Sequence, residues 1–255
     1  MGTRPKLIGT TALLMGFIVG SGPTASAGHT EYTFETSTYD AGAFDDDRDG
    51  FNGMKVYLSS PRHTDSGSRG ELGWDENING RLWNTTAAQS SLLAGSETTS
   101  RFRNIGARGY NVKVSGNARD GAIVANVREA NNWGADVYVT SHTNAGGGDY
   151  FLTMTDQNGS TLDRALRASM ATHLGESVPT GTSVRQATDA GPFTNGRNLA
   201  ELGASNAASY VVYNEVIFHD NAEHVTWFGA EGDDLRVTFN AWRYGWAVDM
   251  ALGYP

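Results

Sequence analysis

Residues 137–144 read VYVTSHTN, and this stretch constrains the fold more than any other part of the chain. Val137, Tyr138, Val139 and Thr140 alternate β-branched and aromatic side chains, the composition of a buried strand. The strand ends at Ser141-His142, and Thr143-Asn144-Ala145 and three glycines then turn the chain away. In an open α/β sheet the carboxyl ends of strands are where ligands bind. His142 is therefore delivered to a functional position, although a lone histidine there is equally a structural group with both nitrogens satisfied by backbone. Its partners decide between the two.

The flanking segments specify the sheet. Met54–Ser59 and Gly109–Ser115 read as strands on either side of a helix that starts at Asp75 and carries Ile78 and Leu82. A second helix, Asp120–Asn132, places Ile123, Val127 and Ala130 on one face. Tyr150–Thr155 is a further strand, and Leu162, Leu166, Met170 and Leu174 mark another amphipathic helix. Strand and helix in alternation imply crossover connections, hence an α/β fold with a mostly parallel sheet and helices on both faces. Residues 175–209 are rich in Gly, Pro, Asn and Thr and read as an irregular functional rim with one short strand near Leu199. Tyr210–Phe218 is an apolar strand interrupted by Glu215, a carboxylate costly to bury unless paired. A last helix, Asp233–Met250, should dock Leu235, Phe239, Trp242, Trp246 and Met250 on the sheet.

With 255 residues, 39% of them hydrophobic, the chain suits one domain of ordinary size. Residues 1–27 stand outside its core: Arg4 and Lys6 precede an apolar run from Ala12 to Val19, and Ala25-Ser26-Ala27 is a small-x-small cleavage site. The pattern is that of a secretory signal peptide. Its apolar run is shorter than the roughly 20 residues a membrane span needs. Arg4-Pro5-Lys6 is not a twin arginine, which points to general secretion and to a soluble product, secreted, periplasmic or cell-wall associated. Removing those residues takes away two basic groups and no acidic ones, leaving 17 basic against 28 acidic and a net charge of −11. So acidic a protein is a poor ligand for nucleic acid or anionic membranes. The absence of cysteine excludes disulfides, thiolate metal sites and a thiol nucleophile. Residues 28–53 form an acidic N-terminal segment. Within it Asp45, Asp47, Asp49 and Gly50 mimic the start of a calcium loop, but Val56 stands where the twelfth-position Glu is needed, and a solvated acidic turn accounts for them as well.

Three strand or loop ends thus carry His63, His142 and Glu215, with Glu76 at a helix start. Two imidazoles and a carboxylate are a normal ligand set for catalytic zinc with one position left open, and a second carboxylate beside that position can act as general base. His29, His173, His219 and His224 read as exposed or hydrogen-bonded groups.

From about Met54 to Leu252 the chain resembles the zinc-dependent N-acetylmuramoyl-L-alanine amidases of bacterial cell-wall turnover. The resemblance rests on four blocks in order: Pro61-Arg62-His63; Trp74-Asp75-Glu76-Asn77-Ile78-Asn79; Arg128-Glu129-Ala130-Asn131-Asn132 with Ala135-Asp136 and Ser141-His142-Thr143-Asn144-Ala145; and Val211 to Asn221. It implies a twisted sheet of about six strands, zinc held by His63, Glu76 and His142, and Glu215 acting as catalytic base. Residues 54–255 are then the catalytic domain of a monomer acting on peptidoglycan. The bond implied is the amide between the lactyl group of N-acetylmuramic acid and L-alanine. Arg62 replaces a family glycine and places a guanidinium near the site, and Glu71 competes with Glu76, which has the better helix-opening context. Arg185 is a candidate for a substrate carboxylate, with Asn144 and Arg62 as further substrate-binding candidates. Two other functions fit the same residues: a non-catalytic wall-binding protein, and a zinc peptidase cutting within the stem peptide.

Overall fold

One sheet organises the chain, built from β1 (Ser37–Tyr39), β2 (Lys55–Ser59), β3 (Asn111–Val114), β4 (Val137–Asn144), β5 (Tyr150–Thr155), β6 (Ser183–Thr188) and β7 (Tyr210–Phe218). The computed structural model describes residues 37–39, 54–59, 110–114, 122–176, 178–228 and 234–253. Its strand order is β1-β3-β2-β4-β7-β5-β6. Four of the six pairings are parallel; β1 runs antiparallel to β3, and β5 antiparallel to β7. The four helices described are α1 (Ala122–Trp133), α2 (Thr161–Gly175), α3 (Ala222–Phe228) and α4 (Asp234–Ala251). The expected α/β architecture is the observed one, with β4 and β7 side by side at its centre.

Both faces are covered. Val56, Val137, Val139, Phe151, Val212 and Ile217 pack against Leu166, Met170 and Leu174 of α2 and Tyr244, Ala247 and Val248 of α4. On the opposite face Tyr57, Tyr138, Leu152, Met154, Val211 and Tyr213 meet Val127 and Ala130 of α1, with Leu202 from the loop after β6. This is the period-two alternation of a strand, one set of side chains to each layer.

Local chemistry sets the element ends. Helix α1 closes through Gly134, at φ +76°, where Gly134 N donates to Asn131 O and Ala135 N to Ala130 O, the paired bonds of a Schellman motif. The chain then enters β4 beside β2: Asp136 N donates to Lys55 O, and Asp136 Oδ2 accepts from Lys55 N at 2.8 Å. Helix α2 opens with a capping box in which Ser160 Oγ accepts from Asp163 N and Asp163 Oδ2 from Ser160 N. The other oxygen of Asp163 accepts from Val211 N at 2.8 Å, tying this helix to the start of β7.

Several expectations change. β4 continues to Asn144 rather than ending at Ser141-His142, because β7 pairs with it along its whole length. No strand forms near Leu199; the strand of that region is β6, a mostly exposed edge strand in parallel register with β5. The side chains of Leu235, Phe239 and Trp242 lie outside the described ones; in the last turns of α4 the buried residues include Tyr244, Ala247 and Val248, while Met250 is 48% exposed and Trp246 stacks on His173 with ring centroids 5.4 Å apart. Tyr244 is drawn inward by its hydroxyl, 2.5 Å from Ser141 Oγ, and Asp249 by the hydroxyl of Tyr110 at 2.7 Å. Leu162 is likewise exposed. The signal peptide, the acidic turn at 45–50, the helix from Asp75, and Arg62, His63, Glu71 and Glu76 lie outside the described residues.

Candidate active site

His142 and Glu215 come together. They are register partners on β4 and β7, and His142 Nδ1 lies 3.0 Å from Glu215 Oε2. His142 is buried and Glu215 half-buried, so the contact is shielded on the protein side yet reachable. Immediately after this pair the register shifts: Thr143 pairs with Ile217, which leaves Val216 as an extra residue on β7. Such a bulge bends its strand and re-aims the neighbouring side chain. The ring of Tyr213 leans against the imidazole, centroids 5.4 Å apart.

The glycine turn after β4 is fastened to the chain that follows β7. Asp220 Oδ2 accepts from Gly146 N at 2.7 Å and Gly147 N at 2.9 Å, and Asn221 Nδ2 donates to Gly148 O at 3.0 Å. Gly148 lies directly on the Phe218 ring, where a Cβ would come within 2.3 Å of a ring carbon. The turn beside the site therefore requires glycine there. Asn144 ends the strand half-buried, its Oδ1 accepting from Ala145 N and its carbonyl from His219 N.

Arg185 belongs to the same row of the sheet. His142 pairs with Glu215, Glu215 with Leu152, and Leu152 with Arg185, so all four side chains leave on one face. At about 4.8 Å between strands, Arg185 stands roughly 10 Å from Glu215. Its guanidinium lies over the Tyr150 ring at 4.1 Å and the Phe193 ring at 5.7 Å, which holds the exposed charge in place. Arg62, His63 and Glu76 fall outside the described residues.

The remaining described histidines have the bland roles expected of them. His224 Nδ1 accepts from Phe218 N, which leaves Nε2 to donate to Asp149 Oδ1 at 2.9 Å and fixes the tautomer. His219 Nδ1 is 3.0 Å from Thr143 Oγ1, and His173 stacks on Trp246.

One acidic group escaped the sequence reading. Glu201, in the loop between β6 and β7, is fully buried, and burial pushes its carboxyl up to about 7. The charge of Glu215 adds to that rise, while its own backbone and His142 oppose it. The only signal was a carboxylate set between Leu199 and Leu202, the kind of interruption that drew attention to Glu215.

No protein-family model and no curated protein matches the sequence. Solved structures do. Superposition on Cwp6 from Clostridium difficile gives a TM-score of 0.57 at 15% identity over 77% of this chain, which spans only 29% of that protein. The catalytic domain of CwlV, an N-acetylmuramoyl-L-alanine amidase from Bacillus (Paenibacillus) polymyxa, gives 0.52 at 13% identity, covering 79% of this chain and 99% of that one. The chain has the fold of an N-acetylmuramoyl-L-alanine amidase. That amidase fold also extends to a metallo-carboxypeptidase from Burkholderia cenocepacia, with a TM-score of 0.52 and 7% identity over 86% of this chain and 60% of that one. Likeness at these identities concerns architecture, so the chemistry has to be argued from the residues.

Proposed function

We propose that the chain is an exported zinc hydrolase that cleaves the amide between N-acetylmuramic acid and L-alanine in peptidoglycan. The observation that carries the reading is the His142–Glu215 pair, 3.0 Å apart at neighbouring parallel strand ends within an amidase fold. Residues 1–27 support export by their pattern, and none of the described helices is long and apolar enough to cross a membrane.

The donor chemistry fits zinc. An imidazole nitrogen and a carboxylate meet at a shielded strand end, and both are zinc-binding groups. Among the described residues no third His, Asp or Glu completes a cluster, and the two remaining expected ligands, His63 and Glu76, lie outside them. In this reading His63, Glu76 and His142 hold the metal. When bound, zinc would supply Lewis acidity to polarise the scissile carbonyl and to make a water acidic near neutral pH.

The protein's own residues do the rest. Glu215 accepts a proton from the attacking water and returns it to the nitrogen of the leaving L-alanine, so one carboxylate serves both halves of the hydrolysis. Arg185 takes a carboxylate of the stem peptide, its aromatic supports holding the guanidinium roughly two strand spacings from the reacting pair. Asn144 and Arg62 contact substrate at the rim. A metallopeptidase acting within the stem peptide is the second reading, favoured by the metallo-carboxypeptidase likeness and by the anchored guanidinium of Arg185 on the same face of the sheet.

Digestion of purified peptidoglycan separates these readings. The amidase releases peptides with a free amino-terminal L-alanine and leaves glycan strands intact. New amino groups only inside the stem peptide would establish the peptidase, and new reducing ends would exclude both. No new ends on several wall types, despite bound zinc, would indicate a wall-binding protein.

A further inference from the structure

Glu201 plays no part in the mechanism above, yet it is the carboxylate hardest to account for. Its side chain is 0% exposed, and among the described residues neither carboxyl oxygen has a hydrogen-bond partner beyond Glu201's own backbone. A polar group left in that state is costly, and native proteins keep few of them. The backbone around it is tightly held. Leu199 N donates to Asp189 Oδ2 at 3.0 Å, and the carbonyl of Glu201 accepts from Asn206 Nδ2 at 2.8 Å. From α1, Asn131 donates to Ser205 O at 2.7 Å and accepts from Ala207 N at 2.9 Å. The loop is pinned at four points, and its carboxyl group is carried inward with it.

Three more buried oxygens lie in the same region, Tyr138 Oη, Thr140 Oγ1 and Asn126 Oδ1; the Tyr138 hydroxyl sits close to those of Ser59 and Thr140, but none of the three makes a well-formed hydrogen bond. Tyr138, Thr140 and His142 alternate along β4 and so share the face that carries the reacting pair. Thr140 lies beside Ser59 in register, and Asn126 reaches that row by donating to Ser59 Oγ at 2.9 Å. Glu201 is within electrostatic range of Tyr138, His142 and Glu215. Four side chains thus offer five oxygens in one buried region, and even with the two hydroxyl hydrogens counted their acceptor sites outnumber their donors. Water, which brings two donor hydrogens and commonly makes about three bonds when buried, matches that inventory.

We propose that Glu201 is a positioning residue for the His142–Glu215 pair, acting through buried water bridged to Tyr138, Thr140 and Asn126. The inference rests on the reading of His142 and Glu215 as the reacting pair. The bridged network backs the strand that presents the imidazole, so removing it loosens the pair without touching the substrate contacts. A displacement of about 1 Å at reacting groups costs on the order of 100-fold in rate.

The test compares Glu201→Leu, which keeps bulk and removes both oxygens, with Glu201→Gln, which keeps two polar atoms. The Leu variant should fold, hold zinc as the parent does, and lose roughly 10- to 100-fold in kcat with KM within about threefold; the Gln variant should stay within about threefold of the parent. Parent-like kcat in a folded Leu variant overturns the proposal. If that variant does not fold, Tyr138→Phe and Thr140→Val replace it, each removing one hydroxyl, and the same loss of kcat at constant KM is expected; unchanged kcat in both is a refutation. If the parent itself is inactive on peptidoglycan, the functional reading has failed rather than the network. A high-resolution crystal structure then decides the network alone: water bonded to Glu201 and to Tyr138 or Thr140 supports it, and a dry site overturns it.

Discussion

Glu201→Gln should remove one pH-dependent contribution to stability. The Glu201 carboxyl is held at about 7 in the folded protein against an ordinary value of 4.5, chiefly by burial. Below pH 4.5 both folded and unfolded chains carry the proton, and the group imposes no penalty. As pH rises from 4.5 towards 7 the unfolded chain ionises first, so the parent loses stability, and the loss is complete above the folded value. At about 1.4 kcal/mol per pH unit the interval corresponds to roughly 3 kcal/mol, a large share of the 5–15 kcal/mol that holds a typical domain together. Urea denaturation of metal-free parent and Gln variant between pH 4 and 8 measures it. Other titrating groups that face Glu201, His142, Glu215 and Tyr138 among them, are present in both proteins and largely cancel in the difference. The Gln variant should gain on the parent by about 3 kcal/mol between pH 4 and pH 8, with unchanged denaturant dependence. A difference that stays constant over that range, or that shrinks as pH rises, would refute the argument that a neutral carboxyl group is what the fold buries.

Glu215→Gln should keep the fold and the zinc while losing at least about 100-fold in turnover, the size expected for a general base; loss of zinc instead would make Glu215 a ligand. His142→Ala should lose the metal itself, read by elemental analysis of the purified protein. Asp163→Ala removes the side-chain half of the α2 capping box, the acceptor of Ser160 N, together with the acceptor of Val211 N, and should cost about 2 kcal/mol by denaturation, at the upper end for a cap. Arg185→Ala should raise KM for peptidoglycan fragments bearing a free carboxylate and spare kcat, because Arg185 sits two strands away from Glu215, roughly 10 Å along the sheet; an equal fall in kcat and kcat/KM would place Arg185 in the chemistry.

The parts of the fold that were legible in the sequence are those whose side chains alternate against a core. β4, β5 and β7 announce themselves through β-branched and aromatic residues buried on both faces, and their order with α1 and α2 dictates crossovers. β6 was hidden because an edge strand needs no apolar pattern: Ser183, Arg185 and Gln186 face water, and its pairing with β5 is a backbone matter. The last turns of α4 depart from the expected stripe for a related reason. Spacing of large apolar residues selected Trp246 and Met250, whereas Tyr244 and Asp249 are drawn inward by buried hydrogen bonds to Ser141 and Tyr110 that no hydropathy pattern contains.

The site was legible to the same extent and for the same physical reason. Glu215 stands out because it interrupts a nine-residue apolar strand, and a charge there demands a partner; His142 stands out because a strand delivers it to its carboxyl end. The structure joins the two by register, which no residue spacing could reveal, since 73 positions separate them in the chain. Glu201 makes the complementary case. Its burial comes from tertiary pinning by Asn131, Asp189 and Asn206, three polar residues distant from one another in sequence, so a loop carboxylate that reads as solvated ends 0% exposed. A strand carboxylate is flagged by the apolar residues beside it. A loop carboxylate is flagged only by what holds the loop down, and Asn131, from α1, supplies two of those bonds.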